Sequence, residues 1–132
     1  MVTKKQNKKM LDVIEGKRIF PIKKIEEKIT KVFDKLEKQR IVCRQNFWCC
    51  QTCGSHNLIQ SYDKNLNYDG YCFYHNQDYD DLKKANYTYL SYGGFRDEDM
   101  ISIGLKIVKA FKKEGIQVFW DGSPNTRIRI EF

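Results

Sequence analysis

At 132 residues and 15.8 kDa, with 41% hydrophobic and 14% aromatic residues, the chain has material for one packed core, leaves no room for a second domain, and is too apolar for intrinsic disorder. No run of about 18 apolar residues exists, which excludes a bilayer-spanning helix, and the basic start Met1-Val2-Thr3-Lys4-Lys5 lacks the apolar stretch of a secretory signal. The net charge of +7 sits in one third of the chain: residues 1–40 hold 13 Lys or Arg against 6 Asp or Glu, and residues 41–132 hold 11 of each. A nucleic-acid-binding face on the main body therefore gets no support from charge, and a basic leading segment does. Five cysteines, an odd number without a signal, fit a reducing cytoplasm better than a disulfide scaffold. The abundance of Lys, Asn, Ile and Tyr has the look of an AT-rich genome; for a viral protein the expected place becomes the host cytoplasm or the virion.

Residues 1–21 read as a basic N-terminal arm, with Met10, Leu11, Val13 and Ile14 starting a short helical turn that stops near Gly16. Pro21 opens the first main element. Ile22, Ile25, Ile29, Val32, Phe33 and Leu36 share one stripe of a helix reaching about Arg40, with lysines on its other faces. Glu27 with Lys31 and Asp34 with Lys38 have the acid-first spacing of four that stabilises exposed helices. Residues 55–69 are rich in Ser, Asn, Asp and Gln and read as a loop with one small strand. Tyr71 to His75 and Tyr87 to Tyr92 are short, aromatic and bounded by turn residues, which are strand signals. Asp97-Glu98-Asp99 then introduces a second helix through Ile101, Leu105, Val108 and Phe111, closed by Gly115. Gly104 inside it points to a close packing contact. Ile116, Val118 and Trp120, then Ile128, Ile130 and Phe132, alternate around a turn through residues 121–125 and predict an antiparallel hairpin. The sum is an α+β fold: a single small domain over 22–132, an antiparallel or mixed sheet with two main helices packed mainly on one face.

The stretch Phe47 to Gly54, reading Phe-Trp-Cys-Cys-Gln-Thr-Cys-Gly, stands where composition changes and reads as a scaffold joint between the charged leading helix and the neutral body. Cys50 and Cys53 have the spacing and trailing glycine of a zinc knuckle, and Cys72 with His75 supplies a second pair on paper. An undistorted strand sends positions 72 and 75 to opposite faces, so Cys43, Cys49 or His56 would have to substitute. The same Cys-x-x-Cys could serve as a redox pair, which elsewhere sits between a strand and a helix start in a βαβ unit; here it follows a helix and precedes a polar stretch. His75, Asp78 and Asp121 lie at strand ends, where a general base and its orienting carboxylate could gather, although no nucleophile or oxyanion donor is identifiable beside them. Lys4, Lys5, Lys8, Lys9, Lys24, Lys28 and Lys31 are the residues that would contact phosphate if the arm and first helix bind nucleic acid. Trp48 and Trp120 could stack on bases, but Trp120 alternates with core residues.

Several motifs together resemble a family of small, mostly bacterial domains with no assigned activity. They are Arg44 to Gly54, Gly70-Tyr71 with Phe73-Tyr74-His75 and Gln77-Asp78, Leu90 to Gly93, and Trp120-Asp121-Gly122-Ser123 leading into Arg127-Ile128. The resemblance covers about residues 25–132. It implies an aliphatic residue where this chain has Cys72. The leading expectation is a non-enzymatic intracellular binding domain with a protein partner, no membrane association and zinc as its candidate cofactor. Nucleic-acid binding through the basic segment, and an enzyme or thiol-redox protein using His75 and Asp78 or Cys50 and Cys53, are the alternatives.

Overall fold

A computed structural model describes residues 13–14, 17–18, 21–60, 68–95 and 99–132. The first described backbone is a two-stranded antiparallel ribbon, β1 (Val13–Ile14) with β2 (Lys17–Arg18), paired Val13 to Arg18 and Ile14 to Lys17. The helical turn expected at 10–14 is thus a strand at its described end; Met10 and Leu11 lie outside the described residues.

Helix α1 (Ile22–Glu37) starts at Pro21, whose fixed backbone suits a helix start, and buries Ile25, Ile29, Val32, Phe33 and Leu36. It ends in a turn at which Arg40 adopts a left-handed φ of 70°. Arg40 Nη2 lies 2.8 Å from Asp69 Oδ1, and its carbonyl accepts from Asp69 N–H at 2.7 Å. The lysines of α1 reach across to the other long helix: Lys31 and Lys35 both pair with Glu114.

Strand β3 (Ile41–Arg44), helix α2 (Gln51–Gln60) and strand β4 (Gly70–Phe73) come next, followed by helix α3 (Asn76–Ala85) and strand β5 (Tyr87–Gly94). Helix α4 (Met100–Lys113) and the pair β6 (Gln117–Phe119) and β7 (Ile128–Glu131) complete the order. The sheet runs β3-β4-β5-β7-β6. β3 and β4 are parallel, with Cys43 opposite Cys72, and the remaining neighbours are antiparallel. The expected α+β architecture is therefore present with a mixed sheet.

Period-two alternation divides the strands between two cores. Toward one face point Ile41, Cys43, Cys72, Leu90, Tyr92, Ile128 and Ile130, covered by the apolar stripes of α1 and α4, with Phe33 and Phe111 edge to face at 6.1 Å. Toward the other point Val42, Tyr71 and Phe73, which meet Leu58 of α2 and Phe95. Helix α4 begins at Asp99, whose carboxylate accepts from Ile101 N–H at 3.1 Å, and ends at Gly115 with φ 79°. The contact expected at Gly104 is with Trp120: a Cβ there would come within 2.7 Å of the indole ring.

Three stretches depart from the sequence reading. Residues 51–60, where the pattern predicts the end of a cysteine knuckle and the start of a loop, are helix α2, and the stretch 76–81, which the pattern predicts as turn residues bounding two strands, is the start of helix α3. The segment 41–44, given no element by its pattern, is an edge strand. Together β3, α2 and β4 make a β-helix-β unit with parallel strands, so the cysteine pair stands between a strand and the start of a helix after all.

Candidate metal centre

The loop from Gln45 to Cys50 leaves the carboxyl end of β3 and crosses to the carboxyl end of its parallel neighbour. Phe47 N–H donates to Tyr74 C=O and Asn76 N–H to Trp48 C=O, both at 2.9 Å, so the loop is laced to the chain leaving β4. Gln45 ties the same loop to α1, donating to Thr30 Oγ1 at 2.7 Å and accepting from the Tyr74 hydroxyl at 2.7 Å. Phe47 packs edge-on against Phe73 at 5.7 Å. Asn46 and Trp48 take left-handed φ values of 51° and 63° to make the reversals. Fastening, the role expected of the whole 47–54 stretch, thus belongs to Gln45, Phe47 and backbone hydrogen bonds.

The cysteines are left facing outward. Cys49 and Cys53 are exposed and Cys50 is half-buried. Cys50 immediately precedes α2, and its carbonyl accepts the first helical bond, from Gly54 N–H at 3.0 Å, which makes it the N-cap residue. Gly54 stands directly on the Phe73 ring, where a Cβ would come within 2.5 Å of a ring carbon, and this contact fixes the height of the first turn. The result is that the three sulfur atoms of Cys49, Cys50 and Cys53 lie within 4.8 Å of one another, with Cys49 and Cys50 Sγ 3.9 Å apart. Zinc–sulfur bonds of about 2.3 Å in a tetrahedron require sulfurs roughly 3.8 Å apart, a separation close to that of Cys49 and Cys50 and within about 1 Å of the limit for the set.

The helix start also differentiates the thiols. The backbone N–H of Cys53, followed by its side chain, bonds the Cys50 sulfur and holds that thiol below its ordinary range. Hydrogen bonding with Cys49 and Cys50 pushes Cys53 up to about 11. The other two cysteines are core: burial pushes both Cys43 and Cys72 well above the ordinary thiol range.

Of the set Cys50, Cys53, Cys72 and His75, with Cys43, Cys49 or His56 as substitutes, the structure gathers only part. Cys50 and Cys53 do belong together, but Cys72 is fully buried and points into the core under α1 and α4, and His75 is used elsewhere; Cys49 is the third member. Among the described residues, His56 does not join the group.

His75 and Asp78 are brought together as a helix cap. Asp78 N–H donates to His75 Nδ1 at 3.3 Å, and His75 N–H donates to Asp78 Oδ2 at 3.2 Å, a reciprocal capping box at the start of α3. His75 Nε2 lies 3.1 Å from the same carboxylate, and Arg127 forms an ion pair with it while donating to Tyr89 C=O at 2.8 Å. Both imidazole nitrogens are occupied, and His75 and Asp78 are 5% and 4% exposed. Burial is the first cause holding His75 below its ordinary pKa, and Arg127 works in the same direction. Asp121 is not part of this cluster. Its carboxylate accepts from Ser123 N–H at 2.9 Å and Thr126 Oγ1–H at 2.7 Å in the turn between β6 and β7, and those bonds hold it below the usual carboxylate range. Trp120 Nε1 donates to the Tyr92 hydroxyl at 3.1 Å, anchoring that turn to β5. The three acid–base candidates thus occupy structural posts.

Of the basic candidates, Lys24, Lys28 and Lys31 stand on α1, and Lys31 is paired with Glu114 at 3.4 Å. Lys4, Lys5, Lys8 and Lys9 lie outside the described residues. A groove between α1 and α4 was not anticipated: it holds about 350 Å³ and is lined by Lys35, Gln39, Lys106, Lys109, Ala110 and Lys113.

Residues 5–132 match the family model described as a domain of unknown function, DUF6891, and the chain belongs to that family. No curated protein and no solved structure matches it.

Proposed function

We propose that this DUF6891 domain is a non-catalytic binding module whose Cys49, Cys50 and Cys53 thiolates hold a thiophilic cation, zinc foremost, at the carboxyl end of the β3–β4 pair. The observation that carries the reading is the convergence of three sulfurs within 4.8 Å on the outside of the fold. Three thiolates suit a soft or borderline ion and leave one tetrahedral position for water or for a group on a partner. An open position at an exposed site fits a docking role better than that of a closed structural clasp. The exposed Trp48, two residues before Cys50, adds an aromatic anchor of the kind protein interfaces use. Cobalt(II) substitution tests this: the reduced protein should bind one equivalent with thiolate-to-metal charge-transfer absorption, and Cys53→Ser should lose it. Unchanged absorption in that variant would refute the assignment.

A second reading, nucleic-acid binding, has an observation of its own in the lysine-lined groove. Lys106, Lys109 and Lys113 stand on α4, and the described part of that helix, residues 100–113, carries no acid. Lysines of this kind supply sequence-independent phosphate contacts. Binding of a labelled oligonucleotide should weaken steeply with salt, and Lys106→Glu with Lys109→Glu should abolish it. No binding at low salt would remove the reading.

A further inference from the structure

The cysteine pair also has the layout of a thiol–disulfide exchange site. We propose that Cys50 and Cys53 convert reversibly between dithiol and disulfide by exchange with an external disulfide, Cys50 attacking and Cys53 resolving. Four geometric observations carry this, and none depends on bound metal. Cys50 is the N-cap of α2 within a parallel β3–α2–β4 unit, at the junction of strand, loop and helix start. Cys53 follows by three residues, one helical turn on, with its sulfur inside the same 4.8 Å group. The pair is reachable from solvent, whereas Cys43 and Cys72 are sealed in the core, so exchange is confined to the triad. Trp48 is 48% exposed beside it and offers a surface for an incoming chain.

The chemistry balances without a further cofactor. The Cys50 thiolate attacks one sulfur of a disulfide RSSR, forming a mixed disulfide and releasing one RS⁻. Cys53, giving up its proton to solvent or to the departing thiolate, attacks Cys50 Sγ, closes the Cys50–Cys53 bond and releases the second RS⁻. Two electrons pass from the pair to the incoming disulfide, which leaves as two thiols. Because the product uses two of the three candidate metal ligands, disulfide and metal occupy the triad alternately.

The test uses the full-length, metal-stripped protein, with glutathione disulfide and disulfide-bonded insulin as separate oxidants, followed by alkylation and mass spectrometry. The expected product is one intramolecular Cys50–Cys53 bond with Cys49 alkylated. Cys53→Ser should accumulate a mixed disulfide on Cys50, and Cys50→Ser should lose trapping on Cys53. Serine is a good N-cap residue, so the Cys50 variant keeps α2, and far-UV circular dichroism checks it. Reaction with glutathione disulfide alone assigns a small-molecule partner, and reaction with insulin assigns a protein one. Reaction with neither, or equal trapping in both serine variants, overturns the proposal. A chain that binds cobalt but does not exchange sinks this inference alone; one that exchanges but binds no metal sinks the metal reading alone.

Discussion

His75 is more informative as a cap than as a catalyst. Its Nδ1 accepts the Asp78 N–H, which requires the neutral ring, and burial with Arg127 nearby lowers its pKa from the ordinary 6.5. A base whose folded pKa is depressed binds fewer protons folded than unfolded, so its contribution is complete above the unfolded value and is lost as pH falls toward the folded one. Urea midpoints should therefore drop as pH is lowered from about 6.5. His75→Asn, which can cap without titrating, should show a shallower drop below that pH; an unchanged slope would mean the imidazole does not titrate between the two states. Asp78 serves the cap and Arg127 together. Asp78→Ala should cost about 2 to 4 kcal/mol because a largely buried charge loses its partner. Arg127→Met should cost less in that background than in the wild type, a coupling that a double-mutant cycle on urea denaturation measures.

Among the elements, α1 was legible because its apolar stripe ends up buried, and the β6–β7 hairpin because its alternation matches one dry face; α4 was legible as a helix, but its buried face is Ile103, Ile107, Ala110 and Phe111, while Ile101 and Leu105 of the stripe read from the sequence are exposed. Helices α2 and α3 carry no such stripe. In α2 the buried residues are Gly54 and Leu58, and in α3 they are Asp78 and Leu82, so neither has a helical hydrophobic period to read. The signals of α3 are capping signals: His75 with Asp78 three residues on, and Asn86 in a left-handed C-cap at φ 60°. The cysteine site was half legible for the same reason. Spacing selected Cys50 and Cys53, but recruiting Cys49 in place of Cys72 required knowing that 51 begins a helix and that 72 faces the α1/α4 core. Gly54 gives the sharpest test of α2. Gly54→Ala gains helix propensity but drives a methyl into the buried Phe73 ring, and the net loss should be about 1 to 2 kcal/mol in thermal or urea denaturation. A stabilised variant would mean that α2 does not rest on Phe73.

For the whole molecule, the layout separates a packed hydrophobic core from a thiol cluster placed on its rim. α1 and α4 close one face of the sheet, α2 covers part of the other, and the sulfurs stand where α2 begins, at the carboxyl end of the parallel strands. Among the described residues no helix is long and apolar enough to cross a membrane. A cation that binds the folded site more tightly than the unfolded chain stabilises the fold, so free metal at one hundred times its dissociation constant should add up to about 2.7 kcal/mol and raise the melting temperature. The increment should vanish with Cys49→Ser, since that thiol is the proposed third ligand. The most direct measurement is the metal content of protein purified under reducing conditions, read beside a variant with Cys49, Cys50 and Cys53 all replaced by serine. One zinc per chain in the wild type and none in the variant is the predicted result; a metal-free wild type, or equal zinc in both, would contradict the account.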